Sequence, residues 1–231
     1  MTEQQWLEVP HPKGLLNFLR TVGLLPERKL RLFAAGVSHR VWALLTDDLF
    51  RRAIEEAERL AGESADAAQW RAILGEVDDD YGGIDSVLEV VYVLTKPPSA
   101  FDYRKAANIS SQVAYYRGRA AFPDEDFDLG ASSVRESEAE THAALVRCVF
   151  GNPFRPTPLD PAWLTPDVLA LARAAYDERL LPSGELDPVR LAVLSDALEE
   201  AGCAEAILDH LRSPTPHTRG CWPLDLCLGL R

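Results

Sequence analysis

Cysteine is scarce in this sequence, which has four among 231 residues: Cys148, Cys203, Cys221 and Cys227. A small secreted domain stabilised by disulfides carries a higher density, so the composition excludes a disulfide scaffold and favours a reducing compartment. The residues from Met1 to Trp6 contain no basic segment followed by an apolar one, which a secretory signal requires. We therefore expect a cytoplasmic protein.

Two further deficits limit the partners that the chain can have. The densest apolar stretch, 89–94, is far shorter than the roughly 18 residues that a membrane helix needs, so we expect no membrane contact. Basic side chains are outnumbered, because 24 Lys and Arg stand against 36 Asp and Glu, with a formal net charge of −12. Such a surface repels nucleic acid unless a local basic region compensates.

Self-contained catalytic signatures are also missing. The sequence contains no GxGxxG or GxxxxGK[ST] phosphate loop, no GxSxG nucleophile turn, no HExxH pair and no paired CxxC. An enzyme assignment would rest on dispersed carboxylates, and among 36 acidic residues some always lie near one another. We therefore favour a non-enzymatic protein and keep a metal-dependent enzyme as an alternative.

Helical periodicity is what the sequence does contain. It is 47% hydrophobic, and apolar side chains recur every three or four residues, as in Leu191, Leu194 and Leu198. That spacing places them on one face of an α-helix. Residues 165–167, Thr-Pro-Asp, form a typical helix start, and the ambiguous run 87–94 has helical surroundings that favour a helix. The sequence predicts an all-α fold, an irregular bundle of about nine or ten helices.

A possible division of the chain lies in an acidic stretch after residue 122. This stretch contains Asp124, Glu125, Asp126 and Gly130, a composition that is typical of an exposed linker. We therefore predict an N-terminal helical bundle over 1–122, an acidic linker over 123–133 and a C-terminal helical unit over 134–231. The alternative is that both units share one hydrophobic core.

The most specific group of chemically active residues lies near the C-terminus, where Cys203, His210, His217 and Cys221 follow one another closely along the chain. Zinc prefers four thiolate or imidazole ligands in a tetrahedron. Cys203 and His210 are seven residues apart, so on one helix they would lie on the same face, two turns from each other. His217 and Cys221 are four residues apart, a spacing that also places two side chains on one helical face. We expect the proline-containing turn between the two pairs to fold one pair onto the other. These residues predict a zinc site, either structural or catalytic. The alternative is that the cysteines are small buried side chains and the histidines are partly exposed.

One neighbourhood is not acidic. The first sixty residues hold nine basic and eight acidic side chains, which leaves 15 against 28 for the remainder. A region of this kind is a candidate surface for an acidic protein partner, an anion or RNA. The alternative is a helix pair joined by salt bridges to the acidic residues at 55, 56 and 58. The candidate partner-binding residues are Arg28, Lys29, Arg31, Arg40, Arg51 and Arg52.

Parts of the chain resemble known bacterial sequences. The run Leu194–Gly202 within Pro188–Arg212 resembles the LVYADWLEERGD pattern of repeat-companion domains, although Ala197 and Cys203 stand where that pattern has Trp and usually Asp. Other stretches are similar to a set of uncharacterised bacterial proteins: Trp6-Leu7, Lys29–Phe33, Gly151–Pro156, Trp163, Tyr176–Arg179 and His217–Trp222. The resemblance implies no known activity. Because repeat-companion modules accompany repeat proteins, it favours an interaction role.

The function that these observations favour is that of a helical adaptor or accessory subunit which contacts another protein. The first alternative is a metal-dependent enzyme or a structural zinc protein that uses the C-terminal cysteines and histidines. The second is RNA or anion binding through the basic N-terminal helices.

Overall fold

The all-α prediction is confirmed by the computed structural model, which describes residues 1–63, 66–80, 87–97, 100–122 and 130–230. The structure is 71% helical, with twelve α-helices and almost no strand in these ranges. The count exceeds the nine or ten expected, because several helices are only six or seven residues long. A helix of two turns contains too few apolar positions to establish a period.

Among the described residues, eight α-helices precede residue 151, and four α-helices with a short hairpin follow it. The first group is α1 (Glu3–Glu8), α2 (Pro12–Thr21), α3 (Glu27–Ser38), α4 (Asp48–Glu63), α5 (Ala67–Asp80), α6 (Leu88–Leu94), α7 (Tyr103–Ala121) and α8 (Gly130–Phe150). A 3₁₀ segment, His39–Leu44, extends α3. The second group is α9 (Pro166–Asp177), β1 (Arg179–Leu180), β2 (Glu185–Leu186), α10 (Pro188–Glu200), α11 (Glu205–Leu211) and α12 (Trp222–Leu228). The two strands pair antiparallel.

Side-chain caps set several of the helix starts. The Thr2 hydroxyl accepts a hydrogen bond from the Gln5 backbone, and the Gln5 side chain accepts one from the Thr2 backbone, which is a capping box. At the start of α9 the Thr165 hydroxyl accepts a hydrogen bond from the Val168 backbone, with Pro166 in the first turn, as the sequence predicted. Asp187 caps α10. These bonds satisfy backbone N–H groups that have no partner within the helix.

The predicted acidic linker is shorter than expected at its C-terminal end. Residues 123–129 lie outside the described residues, but 130–133 belong to α8. Close packing explains this early start, because a Cβ atom at Gly130 would lie 2.8 Å from the Phe122 ring and one at Gly118 would lie 2.9 Å from the Ala131 carbonyl oxygen. The two glycines let α8 begin directly against the end of α7.

Helix α8 contributes to two hydrophobic clusters. Ala143, Leu145, Val146 and Val149 pack with side chains from α1 to α7, whereas Cys148 packs with side chains from α9 to α12. The helix is therefore common to both halves of the chain. The division into a unit over 1–122 and a unit over 134–231 stays a prediction.

Two glycines bring α3 against the segment 217–221. A Cβ atom at Gly36 would lie only 2.7 Å from the hydroxyl oxygen of Thr218, and one at Gly220 would lie 3.0 Å from a methyl group of Leu32. Gly220 also has a φ of +86°, which residues with a side chain rarely adopt. The close approach holds this segment on α3. None of the described helices has both the length and the apolar character required to span a membrane.

Candidate metal centre

Four buried or half-buried side chains converge between α8, α11 and the segment before α12. They are Cys148, His210, His217 and Cys221, and one ligand atom from each lies within 4.8 Å of all the others. Three of these residues belong to the set that the sequence predicted. The fourth is Cys148, and Cys203 is not part of the group. Such a group can hold a metal ion.

The distances between donor atoms suit tetrahedral coordination. The Nδ1 atom of His217 lies 3.5 Å from Cys148 Sγ and 3.7 Å from Cys221 Sγ, and His210 Nε2 lies 3.4 Å from Cys221 Sγ. With Zn–S bonds of about 2.3 Å and Zn–N bonds of about 2.1 Å, a tetrahedron separates sulfur from nitrogen by about 3.6 Å. The observed separations are close to this value.

Each donor is positioned by a different part of the fold. Cys148 lies in the last turn of α8 and His210 in the last turn of α11. His217 is held by the hairpin, because its carbonyl oxygen accepts a hydrogen bond of 2.9 Å from the backbone of Leu186 in β2. Cys221 is the N-cap residue of α12. A ligand bound by all four side chains would therefore join three helices.

The orientation of the His217 ring directs its Nδ1 atom toward the other donor atoms. Its Nε2 atom lies 3.2 Å from the carbonyl oxygen of Ser213, which accepts a hydrogen bond from that nitrogen. In the neutral ring this bond holds the proton on Nε2 and leaves the Nδ1 lone pair available to a metal ion, whereas in the protonated ring Nδ1 donates to Cys148. The rings of His210 and His217 meet edge to face, with centroids 4.9 Å apart. This contact fixes the second imidazole.

The thiols differ in how readily they lose a proton. Burial raises the pKa of Cys148, but hydrogen bonds from Cys221, His210 and His217 outweigh it and hold that pKa well below its usual range. Burial and the bond to Cys148 both raise the pKa of Cys221. Burial lowers the pKa of His217, yet the neighbouring Cys148 raises it above its ordinary value overall. Thiolate character is thus concentrated on Cys148, beside imidazole donors.

Cys203 lies elsewhere because the chain reverses just before it. The prediction placed Cys203 and His210 on one helix, but α10 ends at Glu200 and Gly202 follows in a left-handed conformation with a φ of +79°. The Cys203 amide then donates to the Leu198 carbonyl and closes the end of α10. Its side chain is buried in the second hydrophobic cluster, and burial raises its pKa.

Cys148 gives no sequence signal as a ligand. It lies in α8, far upstream of His210, the partner that comes next along the chain, so no local spacing connects the two. The only indication was that a cysteine lies among the apolar residues of a helix. Cys227, the fourth cysteine, lies in the same cluster as Cys203, and burial raises its pKa to about 11.

The basic residues expected on a partner surface are used largely within the chain. Arg28 donates to both carboxylate oxygens of Asp225, at 2.8 and 3.0 Å, and the ammonium group of Lys29 lies 3.6 Å from the same carboxylate. Asp225 is buried one helical turn after Cys221. These pairs hold α12, and with it the Cys221 ligand, on α3.

Arg31 and Arg40 are likewise engaged inside the molecule. The Arg31 guanidinium is buried over the rings of Trp70 and Phe101, at 3.9 and 4.3 Å from their centroids. Stacking of this kind is favourable for a desolvated cation. Arg40 donates two hydrogen bonds to the buried carboxylate of Glu138.

The last two predicted residues lie on α4. Arg51 pairs with Asp48 at 3.0 Å, and Arg52 is exposed. The six residues therefore do not form one exposed basic patch. The alternative of internal salt bridges is closer to what is seen, although the partners include Asp225 and Glu138 rather than the acidic residues at 55, 56 and 58.

A buried Ser–His–Glu series was not anticipated. The Ser110 hydroxyl lies 2.9 Å from His142 Nδ1, and His142 Nε2 lies 3.5 Å from Glu138. The three side chains have the order of a nucleophilic triad, but each is buried in the interface between α7 and α8. Burial lowers the pKa of His142 and favours its neutral form. The series joins two helices and is not presented to a substrate.

No family model, curated protein or solved structure matches this chain. The functional argument therefore depends on the geometry of the four donors and on their surroundings.

Proposed function

We propose that the chain binds one Zn²⁺ through Cys148, His210, His217 and Cys221, and that the bound ion fastens the C-terminal helices to α8. The observation that carries this proposal is the convergence of four donor atoms within 4.8 Å of one another, with three sulfur–nitrogen separations of 3.4 to 3.7 Å. Zinc supplies no redox chemistry here. Its contribution is to neutralise two thiolates and to hold three chain segments at fixed distances.

The donor types favour zinc over other common ions. Thiolate and imidazole are the ligands that zinc prefers, whereas calcium and magnesium select oxygen ligands. Four protein ligands also complete a tetrahedron, so that no position remains for a substrate or an activated water. This supports a structural role for the ion over the alternative of a metal-dependent enzyme.

The role of the whole molecule that fits best is that of a helical adaptor or accessory protein. Exposed apolar side chains support this, because Val189 and Val193 lie one turn apart on α10 with 69% and 47% of their surface exposed. Contiguous exposed apolar surface is typical of a protein interface. The internal use of Arg28, Arg31 and Arg40 argues against RNA binding through these residues. The resemblance to repeat-companion modules points in the same direction.

Zinc content tests the metal proposal directly. We expect the purified protein to contain about one zinc per chain, and we expect a chelator to lower its melting temperature, since an ion that binds only the folded state stabilises that state. The Cys148→Ser variant should lose the zinc. The matched control is Cys203→Ser, which changes another buried cysteine in the same way and should keep it.

Two results would contradict the proposal. One is a zinc content below about 0.2 per chain together with a melting temperature that chelator leaves unchanged. The other is equal zinc content in the Cys148→Ser and Cys203→Ser proteins. Because both substitutions place a hydroxyl in the same cluster, a general loss of stability would affect them alike and would not imitate the expected difference.

A further inference from the structure

A groove of about 1140 Å³ opens beside the metal centre, between α1 and α2 on one side and α11 and α12 on the other. Cys148 and His210 lie at its edge. Its volume is slightly above the usual range of about 300–1,000 Å³ for small-molecule sites. The walls are mainly apolar and include Leu19, Leu24, Leu25, Phe150, Leu226 and Leu230.

The charged groups in this groove are mostly cationic. Lys29, Arg147 and Arg155 line it, and Asp225 is the one carboxylate among the described lining residues. That carboxylate is already bound by Arg28 through two hydrogen bonds, and Arg155 pairs with Glu3 at 2.6 Å. Counted together, the four cations Arg28, Lys29, Arg147 and Arg155 outnumber the two carboxylates Asp225 and Glu3, so the groove is net positive although the chain carries a net charge of −12. A concave site of one sign concentrates ligands of the opposite sign.

Arg147 is the cation best placed to hold an anion. Its Nε and Nη2 atoms donate to the carbonyl oxygens of Trp6 and Val9, at 2.8 and 2.6 Å. Within the described part of the chain no carboxylate pairs with this half-buried guanidinium. Because both carbonyl oxygens occupy the Nε–Nη2 edge, an anionic group would bind at Nη1, for which the structure describes no hydrogen bond. A charge-assisted hydrogen bond of this kind is stronger than a neutral one, and a counter-ion is favourable beside a half-buried cation.

The groove walls disfavour an extended peptide. The walls consist of helices and connecting segments, and the lining includes no β-strand edge among the described residues. Helix backbone groups are already hydrogen-bonded, so an extended peptide would find few partners for its own backbone. An alkyl chain has no such requirement, and burial of each methylene group is favourable.

We propose that this groove binds an amphiphilic carboxylate, with the carboxylate at Arg147 and a single alkyl chain along the leucine side chains. The ligand class is a long-chain monocarboxylic acid, and neither Arg147 nor the leucine side chains that would hold it are zinc donors. Loss of zinc binding and loss of carboxylate binding are therefore separate outcomes.

Titration calorimetry with three ten-carbon probes tests the proposal on the full-length, zinc-analysed protein. Decanoate, below the concentration at which it forms micelles, should bind with a stoichiometry near one. Decan-1-ol, which has the same chain and no charge, should bind at least about tenfold more weakly, and decyltrimethylammonium should not bind measurably. Binding of all three probes with equal affinity, or no binding of decanoate, would overturn the proposal.

A matched pair of variants locates the site. Leu24→Glu places a carboxylate in the groove wall and should weaken decanoate binding at least about tenfold, because like charges repel in a concave site. Leu180→Glu makes the same change at a side chain of similar exposure, 44% against 48%, outside the groove, and should leave affinity within about twofold. Equal affinity in both variants would show that decanoate binds elsewhere.

The role of the anchoring cation needs its own variant. Arg147→Met should remove the preference for decanoate over decan-1-ol while leaving the weak binding of the alcohol unchanged. Because Arg147 also bonds two backbone carbonyl groups, this protein is compared only after its circular dichroism matches that of the original chain. If it does not fold, the Leu24→Glu and Leu180→Glu pair still decides the outcome.

Discussion

Single buried charges hold much of this molecule together, and Glu138 is a clear example. Its carboxylate, 5% exposed, accepts hydrogen bonds from Arg40 and Arg117 and lies beside His142. Burial raises the pKa of Glu138, but the hydrogen bonds with His142, Arg40 and Arg117 outweigh it and hold the pKa well below its usual range. The ionised form is therefore favoured in the folded protein.

A pH dependence follows from this depressed pKa. The contribution of Glu138 to stability is fully present above its unfolded pKa of about 4.5 and is lost as the pH falls from there toward the lower folded pKa. We expect Glu138→Gln to lower the free energy of unfolding by about 2–3 kcal/mol at pH 7, given that both arginines are partly exposed. The difference from the original protein should shrink at pH 3.

Urea unfolding at pH 7 and pH 3 measures this effect. The control is Glu56→Gln, which removes an exposed pair with Arg59 and should cost no more than about 0.5 kcal/mol at pH 7. A Glu138→Gln effect that is equally large at both pH values would exclude ionisation of Glu138 as its origin.

Pairs of residues that are close in sequence can be proposed from the sequence, whereas contacts between distant segments cannot. The sequence pairs His217 with Cys221 because they are only four residues apart. The role of Cys148 could not be predicted from the sequence, because the other three donors come from segments much further along the chain, in and around α11 and α12. The burial of Arg31 over two aromatic rings could not be predicted either, because the neighbouring sequence does not distinguish a buried arginine from an exposed one.

At the level of elements, α3 is the helix on which the C-terminal segments rest. Its glycine at position 36 faces Thr218, and its basic residues Arg28 and Lys29 hold Asp225 of α12. The apolar periodicity of α3 was visible in the sequence. The reason for a glycine within it was not, because that reason lies in a loop near the opposite end of the chain.

The glycine predicts a contrast between two substitutions. Gly36→Ala should lower the free energy of unfolding by about 1–3 kcal/mol, because its methyl group would lie 2.7 Å from Thr218 Oγ1, and this outweighs the gain of about 1 kcal/mol in helix propensity. Gly75→Ala in α5 meets no atom within 4 Å and should raise stability by about 0.5–1 kcal/mol. Chemical denaturation measures both.

The two variants serve as controls for each other. If Gly36→Ala stabilised the protein as Gly75→Ala does, the close contact between α3 and the segment 217–221 would be wrong. A destabilised Gly75→Ala would instead show that propensity is not the governing factor in α5.

On the scale of the whole molecule, α8 determines how the halves relate. One face completes the N-terminal cluster with Ala143, Leu145, Val146 and Val149, and Cys148 belongs to the C-terminal cluster. The sequence placed the boundary between domains before this helix. A helix that supplies four buried side chains to the preceding cluster argues for placing it with the N-terminal bundle as well.

Two fragments test this arrangement. The fragment 1–133 lacks the four side chains that α8 supplies, so we expect reduced helicity and no cooperative thermal transition. The fragment 1–151 keeps them and should melt cooperatively. Circular dichroism during heating distinguishes the two, and a cooperative transition of 1–133 would support an independent domain over 1–122.

The amino-acid sequence alone determined the helical class and the caps of helices such as α9, because both depend on residues within about four positions of one another. The predicted shared helical face of His217 and Cys221 was wrong, since the segment 217–221 is not helical and Gly220 has a φ of +86°. The tertiary structure alone decided that Cys148 replaces Cys203 in the donor group and that Arg28 and Arg40 bind internal carboxylates. Those outcomes depend on which distant helices pack together, and a buried charge or thiol takes its partner from whatever that packing brings within reach.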